Sequence, residues 1–282
     1  MRVAVAQLRT GPDPFENLLA LHDFVLEAQS QNVQLISFPE NAIYRGPRKG
    51  LLKDFQLSLD SEGALQKKSE LAHALSELRQ EWRIHVSLGS VPESSDLEGK
   101  PFNAHWLLNP GGKISSYKKI HLFDFSGSQG VYRESDECSR GENLLTVDCA
   151  DFRVGLSICY DLRFPELYRQ MVLGQKANLI LVPAAFTYET GKAHWHSLLR
   201  SRAIENLSYV MAAGQWGTHL NNEGKEMRCF GHSLIISPWG EILAEGPEDG
   251  DELLIADLSL QSMSEARTRL PALSTAKLWR SL

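Results

Sequence analysis

The sequence predicts a layered α/β domain. Short apolar stretches rich in Val, Ile and Leu alternate with longer amphipathic stretches along most of the chain. Some of the short stretches, such as Asn178-Leu-Ile-Leu-Val-Pro183, are apolar on both faces, which is typical of central, covered strands. No linker, low-complexity tract or repeat interrupts the alternation, so we expect residues 1–282 to form one domain. The periodicity leaves open whether the strands form one doubly wound sheet or two stacked sheets.

The elements follow in chain order. Runs of Val, Ile and Leu with Gly, Pro or Asp at their borders predict strands at Arg2–Leu8, Gln34–Phe38, Ile84–Leu88, Ala104–Asn109, Phe152–Ile158, Asn178–Val182, Ser208–Ala213, His232–Ser237 and Glu252–Asp257. Apolar residues at helical spacing predict helices at Phe15–Gln31, Ser61–Trp82, Pro165–Gly174 and Gly191–Asn206. Leu71, Leu75 and Leu78 mark one face of the second helix. Pro165 stands in the first turn of the third helix, where its missing N–H costs nothing.

Composition and charge exclude several classes of protein. The chain carries 29 Lys and Arg against 35 Asp and Glu, a formal net charge of -6. A nucleic-acid binder or a binder of anionic membranes needs a basic face, so we expect neither partner. No apolar run reaches the roughly 18 residues that span a bilayer, and the amino terminus lacks a signal-peptide pattern. We therefore expect a soluble, cytoplasmic protein.

The cysteines and histidines do not form a metal-binding pattern. The four cysteines lie far apart without a C-x-x-C pair, which disfavours a zinc site, a thioredoxin-like motif or a disulfide framework. His194 and His196 differ by two residues, so on a helix they do not share a face. No Gly-x-Ser-x-Gly motif supports a Ser-His-Asp triad. Each cysteine is then either a small buried hydrophobe or a nucleophile.

Two segments carry charges at the ends of predicted strands. Glu40 follows a proline directly after the strand Leu35-Ile-Ser-Phe. In Tyr117-Lys-Lys-Ile-His-Leu, polar and apolar residues alternate so that Lys119 points inward and Lys118 faces away. Taken in isolation, a solvated carboxylate and a pair of strand-end lysines are the simpler interpretations.

A third segment places a cysteine at a sharp turn. In Val154-Gly-Leu-Ser-Ile-Cys-Tyr-Asp-Leu-Arg-Phe-Pro-Glu166, an apolar strand runs into Cys159, and a helix begins four to six residues later. Such an elbow exposes a nucleophile and directs backbone N–H groups at a developing oxyanion. A nearby helix amino terminus also depresses the pKa of a thiol below about 8.5. A buried structural cysteine is the alternative, and the polar Tyr-Asp-x-Arg that follows favours the nucleophile.

Together these segments resemble the carbon–nitrogen hydrolase (nitrilase) superfamily. Glu40, Lys119 and Cys159 stand in the family order, separated by 79 and 40 residues. Further similar segments extend the resemblance along nearly the whole chain: Tyr132-Arg-Glu-Ser, Pro183-Ala-Ala-Phe, Gly191-x-Ala-His-Trp195, Arg202-Ala-Ile-Glu-Asn, Gly231-His-Ser and Pro238-Trp-Gly. The resemblance implies a four-layer α-β-β-α sandwich that often pairs with a second copy. We expect a homodimer or higher homo-oligomer, and Trp279 is a candidate for its interface.

The family's chemistry fits these residue types. A thiolate of Cys159 attacks an amide and forms a thioester, and Glu40 moves the protons. The charge of Lys119 and the backbone N–H of Tyr160 stabilise the oxyanion. Glu134 matches a second glutamate of many members and would position Lys119 or the substrate; an exposed loop charge is the alternative. The resemblance implies no metal and no organic cofactor.

Within the superfamily, the resemblance is greatest to the branch of deaminated glutathione amidases and omega-amidases. Their small-molecule substrates bear a 2-oxo acid group, and the forked guanidinium of Arg163 suits a carboxylate. An ion pair with Glu166 or Asp161 is the alternative role for Arg163. Phe186 and Thr190 match positions that line the branch's pocket, although Phe186 could equally belong to the core.

The substrate prediction leans towards deaminated glutathione. The departures from the branch pattern are Thr187-Tyr-Glu-Thr190 and Trp216, which leave the exact amide open. The alternatives are an omega-amidase acting on 2-oxoglutaramate, a hydrolase of N-carbamoyl amines or nitriles, and a non-catalytic scaffold. An intact Glu40, Lys119 and Cys159 weighs against the scaffold.

Overall fold

The computed structural model describes residues 1–46, 55–95, 99–127, 130–220 and 224–276, with side chains outside residues 126–131. The strands in these ranges are β1 (Arg2–Gln7), β2 (Leu35–Ser37), β3 (Ser58–Leu59), β4 (Leu65–Gln66), β5 (His85–Ser87), β6 (Val91–Glu93), β7 (Phe102–Leu108), β8 (Ile114–Lys118), β9 (Asp124–Gly127), β10 (Gly130–Arg133), β11 (Thr146–Cys149), β12 (Phe152–Leu156), β13 (Leu179–Leu181), β14 (Tyr209–Ala212), β15 (Trp216–Leu220), β16 (Glu226–Phe230), β17 (Leu234–Ile236), β18 (Ile242–Glu245) and β19 (Glu252–Asp257). The α-helices are α1 (Pro14–Ser30), α2 (Glu70–Leu78), α3 (Pro165–Gln175), α4 (Tyr188–Asn206), α5 (Leu260–Arg269) and α6 (Ala272–Thr275), and 3₁₀ turns cover Arg79–Glu81, Glu134–Asp136 and Cys159–Arg163.

Two mixed sheets contain most of the strands. The first has the order β19-β1-β2-β5-β7-β6, with β8 also paired to β7, and the second has the order β11-β12-β13-β14-β17-β18. Each sheet contains a parallel run: β1, β2 and β5 in the first, and β12, β13 and β14 in the second. Helices α1 and α2 connect the first run, and α3 and α4 connect the second. Parallel neighbours require such crossovers.

Alternating side chains sort into three apolar cores. Val3 and Val5 of β1 face a core that also receives Leu179 and Leu181 of β13, so this core lies between the sheets. Ile180, the residue between these leucines, belongs to a core with side chains of α3 and α4. The other face of β1 belongs to a third core with α1 and α2. Strands buried on both faces and helices on both outer sides make a four-layer α-β-β-α sandwich, which confirms the implied fold class.

The long helix predicted at Ser61–Trp82 is wrong in its first part. Asp60 accepts hydrogen bonds from the backbone N–H groups of Glu62 and Ala64, which closes a turn there, and Leu65–Gln66 is strand β4. The helix begins at Glu70, where Ser69 caps it by accepting from the N–H of Ala72. Local side chain–backbone bonds therefore outweigh the helical pattern.

Several elements carry too little signal for sequence reasoning. Strand β18 has a mostly exposed face, and the hairpin β15–β16 lies outside the two main sheets, so neither shows a buried run. Trp279 lies outside the described residues. Among the described helices, none has the length and apolar character needed to cross a bilayer.

Candidate active site

The ends of strands from both sheets meet around one cavity. Glu40 follows β2, Lys119 directly follows β8, and Cys159 follows β12. In open α/β sheets, the carboxyl ends of parallel strands are where ligands bind. The cavity is lined, among the described residues, by Glu40, Asn41, Arg45, Gly46, Lys119, Phe123, Tyr132, Glu134, Cys159, Ala185, Thr187, His219, Leu220 and Met227. All four predicted catalytic side chains therefore share one cavity.

Lys119 joins the two glutamates of the site. Its Nζ donates to Oε1 of Glu40 at 3.0 Å and to Oε2 of Glu134 at 2.8 Å. The Lys119 side chain is only 1% exposed, and both carboxylates are almost as buried. Two carboxylates this close would repel one another without the ammonium between them. Lys118, by contrast, is half-exposed and lies near Glu93 at 3.6 Å, as the strand phase predicted.

Asn103 completes this network, and sequence reasoning missed it. Its Nδ2 donates to Oε1 of Glu40 at 3.0 Å and to Oε1 of Glu134 at 2.8 Å. The other oxygen of Glu40 accepts from the backbone N–H of Ala185 at 3.0 Å. Asn103 stands on the fully buried strand β7, where a polar residue needs a partner. That buried amide is the signal that could have found it.

Cys159 sits at the elbow with a strained backbone. Its φ is +44°, a left-handed conformation that is unusual outside glycine, and its N–H donates to the carbonyl of Pro183 at 2.8 Å. Buried Asp161 holds the turn, because its carboxylate accepts from the N–H of Ile158 at 2.9 Å and from the hydroxyl of Tyr117 at 2.8 Å. Helix α3 begins at Pro165, six residues after the cysteine. Strain held by the surrounding structure is common at functional sites.

The electrostatics of the site define its resting protonation state. Burial alone would raise the pKa of Glu40, but the Lys119 ammonium lowers it to about 2. Burial opposes a charged Lys119 as well, yet Glu134 and Glu40 raise its pKa well above 10.5. Near neutral pH the site therefore holds an ammonium beside the Glu40 carboxylate.

The expected depression of the Cys159 pKa is wrong. Burial and the neighbouring Glu40 carboxylate raise the pKa of this thiol well above its usual range, although Lys119 and the N–H of Ala185 act in the other direction. The helix amino terminus lies six residues away, with the buried Asp161 between them. At rest the sulfur is a neutral thiol next to a carboxylate that can take its proton.

None of the four residues predicted to contact the substrate lines the cavity; they are Tyr160, Arg163, Phe186 and Thr190. The Arg163 guanidinium packs on the rings of Tyr160 at 5.9 Å and Phe186 at 5.2 Å, and its Nη1 meets Nδ1 of His194 at 3.4 Å. Neither Glu166 nor Asp161 pairs with it among the described ion pairs. Phe186 is buried and also packs on Trp195 with ring centroids 5.0 Å apart. Phe186 thus makes the core contacts that the sequence analysis gave as its alternative role.

Thr190 and the departures from the branch pattern can be located as well. The hydroxyls of Thr190 and Thr187 are 2.7 Å apart, and of these two residues Thr187 lines the cavity. Trp216 donates from its indole N–H to Asp251 at 2.5 Å. Only Thr187 among the departures therefore contacts the cavity directly.

One group of side chains in the described part of the chain brings two imidazole nitrogens and a carboxylate oxygen close together. Glu245 Oε1 accepts from His196 Nε2 and His232 Nδ1, both at 2.9 Å. The ligand atoms of these three residues lie within 4.8 Å of one another, and none of the residues lines the cavity around Cys159. The spacing of histidines along the sequence does not reveal this group, because its three members are distant along the chain.

Comparisons with known proteins agree with this site. Residues 2–268 match the carbon-nitrogen hydrolase family. The chain is 38% identical over 273 residues to the nitrilase and fragile histidine triad fusion protein NitFhit of Drosophila melanogaster, covering 95% of this chain and 56% of that protein. It is 34% identical over 282 residues to a deaminated glutathione amidase of Dictyostelium discoideum, covering 98% and 94%. It is 32% identical over 272 residues to the human omega-amidase NIT2, covering 96% and 92%.

A solved structure shares the architecture. Saccharomyces cerevisiae Nit3, a member of branch 10 of the nitrilase superfamily, superposes with a TM-score of 0.81 at 29% identity. The match covers 96% of this chain and 94% of that one. The two-sheet sandwich is thus common to both proteins.

Proposed function

Because this chain belongs to the carbon–nitrogen hydrolase family, we propose that it is an amidase whose nucleophile is Cys159. The chain is a hydrolase that acts on amides. The observation that supports the assignment of roles is the buried trio of Glu40, Lys119 and Glu134 in the cavity of the Cys159 thiol. Glu40 is ionised and the thiol is neutral at rest, which is the starting state for general-base activation.

The first half of the reaction forms a thioester. Glu40 takes the proton of the Cys159 thiol while the sulfur attacks the amide carbon. Lys119, with the backbone N–H of Tyr160, stabilises the negative charge that develops on the amide oxygen. The carbon–nitrogen bond then breaks, and Glu40 returns its proton to the departing amine.

The second half of the reaction releases the acid. Glu40 takes a proton from water, whose oxygen attacks the thioester carbon. The carbon–sulfur bond then breaks, and Glu40 gives this proton to the sulfur, which restores the Cys159 thiol and the Glu40 carboxylate. Glu134 and Asn103 act as positioning residues, because they hold Lys119 and Glu40 in one arrangement. Productive geometry at this level contributes several orders of magnitude to rate.

We propose that the substrate is a small 2-oxo acid with a terminal amide. Deaminated glutathione is the first candidate. The deaminated glutathione amidase of Dictyostelium discoideum, which is 34% identical to this chain, aligns with 98% of it. Arg163 follows the nucleophile by four residues, packs against Tyr160 and Phe186, and makes no ion pair within the described part of the chain. We assign it to the carboxylate of the acyl portion, with Thr190 supporting the adjacent loop. An omega-amidase acting on 2-oxoglutaramate is the second candidate, supported by the human relative.

Mass spectrometry of the intact protein tests this function. The protein is mixed with 2-oxo acid amides, an N-carbamoyl amine and a nitrile, quenched in acid, and digested to locate the adduct. We expect an acyl thioester on Cys159 from the 2-oxo acid amides, and no adduct on Cys149. An adduct from the N-carbamoyl compound or the nitrile alone would assign a different reaction, and absence of any adduct or turnover would favour the scaffold alternative.

We further propose that the enzyme is a cytoplasmic homodimer. All four cysteines are free, which fits a reducing compartment. Ile204 of α4 and Trp239 expose 42% and 41% of their surfaces, and Ile242 of β18 exposes 40%. Ile204 lies against Gly240, which directly follows Trp239 and precedes Ile242 by two residues, so we assign these three side chains to one apolar patch. A second copy of the chain is the partner that this patch and the family resemblance support.

A further inference from the structure

Arg45 lines the cavity that contains Cys159, and the reaction as described does not use it. It follows Glu40 by five residues, and its backbone N–H donates to the carbonyl of Gly11 at 3.0 Å. Its Nη2 donates to the sulfur of Cys229 at 3.3 Å. Its Nε is buried without a hydrogen-bond partner in the described part of the chain.

Among the described residues, no carboxylate forms a direct ion pair with the Arg45 guanidinium, and the nearby Glu40 and Glu134 both pair with Lys119. The charge contributes to lowering the pKa of Glu40. It also adds to burial in lowering the pKa of His219 to about 3, so this neighbour stays neutral. A partly buried cation with an unpaired donor is costly unless a ligand supplies the counter-charge. A carboxylate is the ligand that matches the forked N–H groups of arginine.

The position of Arg45 indicates which part of the substrate would reach it. Glu40 gives its proton to the leaving nitrogen, so that nitrogen faces Glu40 during the reaction. Arg45 stands on the chain segment that continues from Glu40, whereas Arg163 follows the nucleophile. A group attached to the leaving nitrogen would lie on the Glu40 side of the cavity, where Arg45 also lines the wall and is near enough for its charge to act on Glu40.

We propose that Arg45 binds a carboxylate on the leaving-amine side of the substrate. The inference rests on the proposed amidase function and sharpens it. Deaminated glutathione carries one carboxylate on its acyl portion and another at the end of its dipeptide leaving group, so two arginines meet two carboxylates. A primary amide such as 2-oxoglutaramate releases ammonia and leaves Arg45 unpaired. Arg45 thus selects a peptide-like leaving group over ammonia.

Steady-state kinetics with three amides test the proposal. The first amide is deaminated glutathione, the second is the same compound with its glycine carboxylate converted to a carboxamide, and the third is 2-oxoglutaramate. The variants are Arg45→Gln, Arg45→Lys, and Arg153→Gln as a control, since Arg153 is a surface arginine paired with Asp148 at 2.8 Å. Thermal melts of each variant establish folding.

We expect Arg45→Gln to lower kcat/KM for deaminated glutathione by about 10- to 100-fold, the usual effect of losing a charge-assisted hydrogen bond. The carboxamide and the primary amide should change by less than about threefold. For the first amide, the kcat/KM of Arg45→Lys should lie between those of wild type and Arg45→Gln, because lysine keeps the charge but lacks the forked N–H groups. Equal losses on all three amides, or no loss on the first, would overturn the inference.

A binding measurement separates failure of this inference from failure of the proposed function. Calorimetry with Cys159→Ala measures the Kd of intact deaminated glutathione and of its carboxamide, with and without Arg45→Gln. We expect Arg45→Gln to weaken binding of the acid selectively by a similar factor. If the wild-type protein hydrolyses none of the amides, the proposed function fails. If the acid and its carboxamide bind with equal Kd values, the role of Arg45 is overturned.

Discussion

At the scale of single residues, Cys159 combines a strained backbone with a partly buried, neutral thiol. The other sulfurs in the chain differ in their surroundings. Cys149 of β11 is fully buried in the core between the sheets, where burial raises its pKa to about 12. The Cys159 sulfur therefore lines the cavity beside Glu40, whereas the Cys149 sulfur is packed in the core.

Replacing each of these two cysteines by alanine should give opposite results. Cys159→Ala should reduce turnover by at least about 10³-fold, because no other nucleophile replaces the thiol, while the melting temperature stays near that of wild type. Cys149→Ala should keep its activity and lose about 1 kcal/mol of stability, because it leaves a small void in the core. Amide hydrolysis and thermal melts measure both. The assignment of the nucleophile would be reversed if Cys149→Ala were the inactive variant.

The Glu40 carboxylate makes the fold sensitive to acid. Its pKa is about 2 against an ordinary value of 4.5, so it contributes stability above pH 4.5 that is lost as the pH falls towards 2. The full contribution is about 3 kcal/mol, at 1.36 kcal/mol per pKa unit. Between pH 6 and pH 3, wild type should lose about 2 kcal/mol more than Glu40→Gln, which cannot titrate there. Urea unfolding at both pH values measures this difference, and parallel losses in the two proteins would contradict it.

At the scale of elements, the turn that presents Glu40 depends on a neighbouring glycine. Gly89 lies just beyond β5, with a φ of +67°. A Cβ at this position would stand 1.9 Å from the carbonyl oxygen of Pro39 and 2.5 Å from that of Phe38. The close approach of these two chain segments holds the residues directly before Glu40 in place.

Gly89→Ala should therefore impair both stability and catalysis. We expect a loss of at least about 2 kcal/mol, because alanine disfavours the positive φ and its Cβ collides with backbone. A displacement of Glu40 by about 1 Å should lower kcat by about 100-fold. Gly174→Ala is the control: the position that its new Cβ would occupy on α3 has no atom within 4 Å, so it should stabilise by about 0.5 kcal/mol without affecting kcat. Normal kcat in Gly89→Ala would show that this contact does not position Glu40.

At the scale of the whole molecule, three exposed apolar side chains lie around the contact of α4 with Gly240: Ile204, Trp239 and Ile242. Arg269 lies over the Trp239 ring at 4.7 Å and leaves much of it exposed. An exposed aromatic side chain beside aliphatic ones is typical of the centre of an interface.

Light scattering coupled to size exclusion tests the dimer. Wild type should elute with twice the chain mass of 31.6 kDa. Ile204→Glu should elute as a monomer, because a charge would be buried at the interface centre. Leu19→Glu is the matched control, since Leu19 of α1 is 56% exposed and outside the patch. A monomeric wild type, or a dimer that tolerates Ile204→Glu, would contradict the proposed interface.

Much of this architecture could be predicted from the sequence, because its signals are local. The doubly apolar run at Leu179–Leu181 indicates a covered strand wherever the chain folds, and Pro165 marks a helix start by its own geometry. The prediction of two stacked sheets came only from the family resemblance. Hydrophobic periodicity indicates which face of a strand is buried, but it does not indicate what covers that face. That residues 1–282 form one domain stays a prediction.

The sequence by itself determined the order and spacing of the predicted reactive groups along the chain, which are Glu40, Lys119 and Cys159. Only the tertiary structure decided their state. Asn103 enters the site because β7 lies beside the residues that follow β2, and the Cys159 pKa rises because burial and Glu40 outweigh Lys119 and the N–H of Ala185. The physical reason is that solvation and Coulomb energies depend on distances through space. Chain order specifies the residue types, and packing sets the charges they carry.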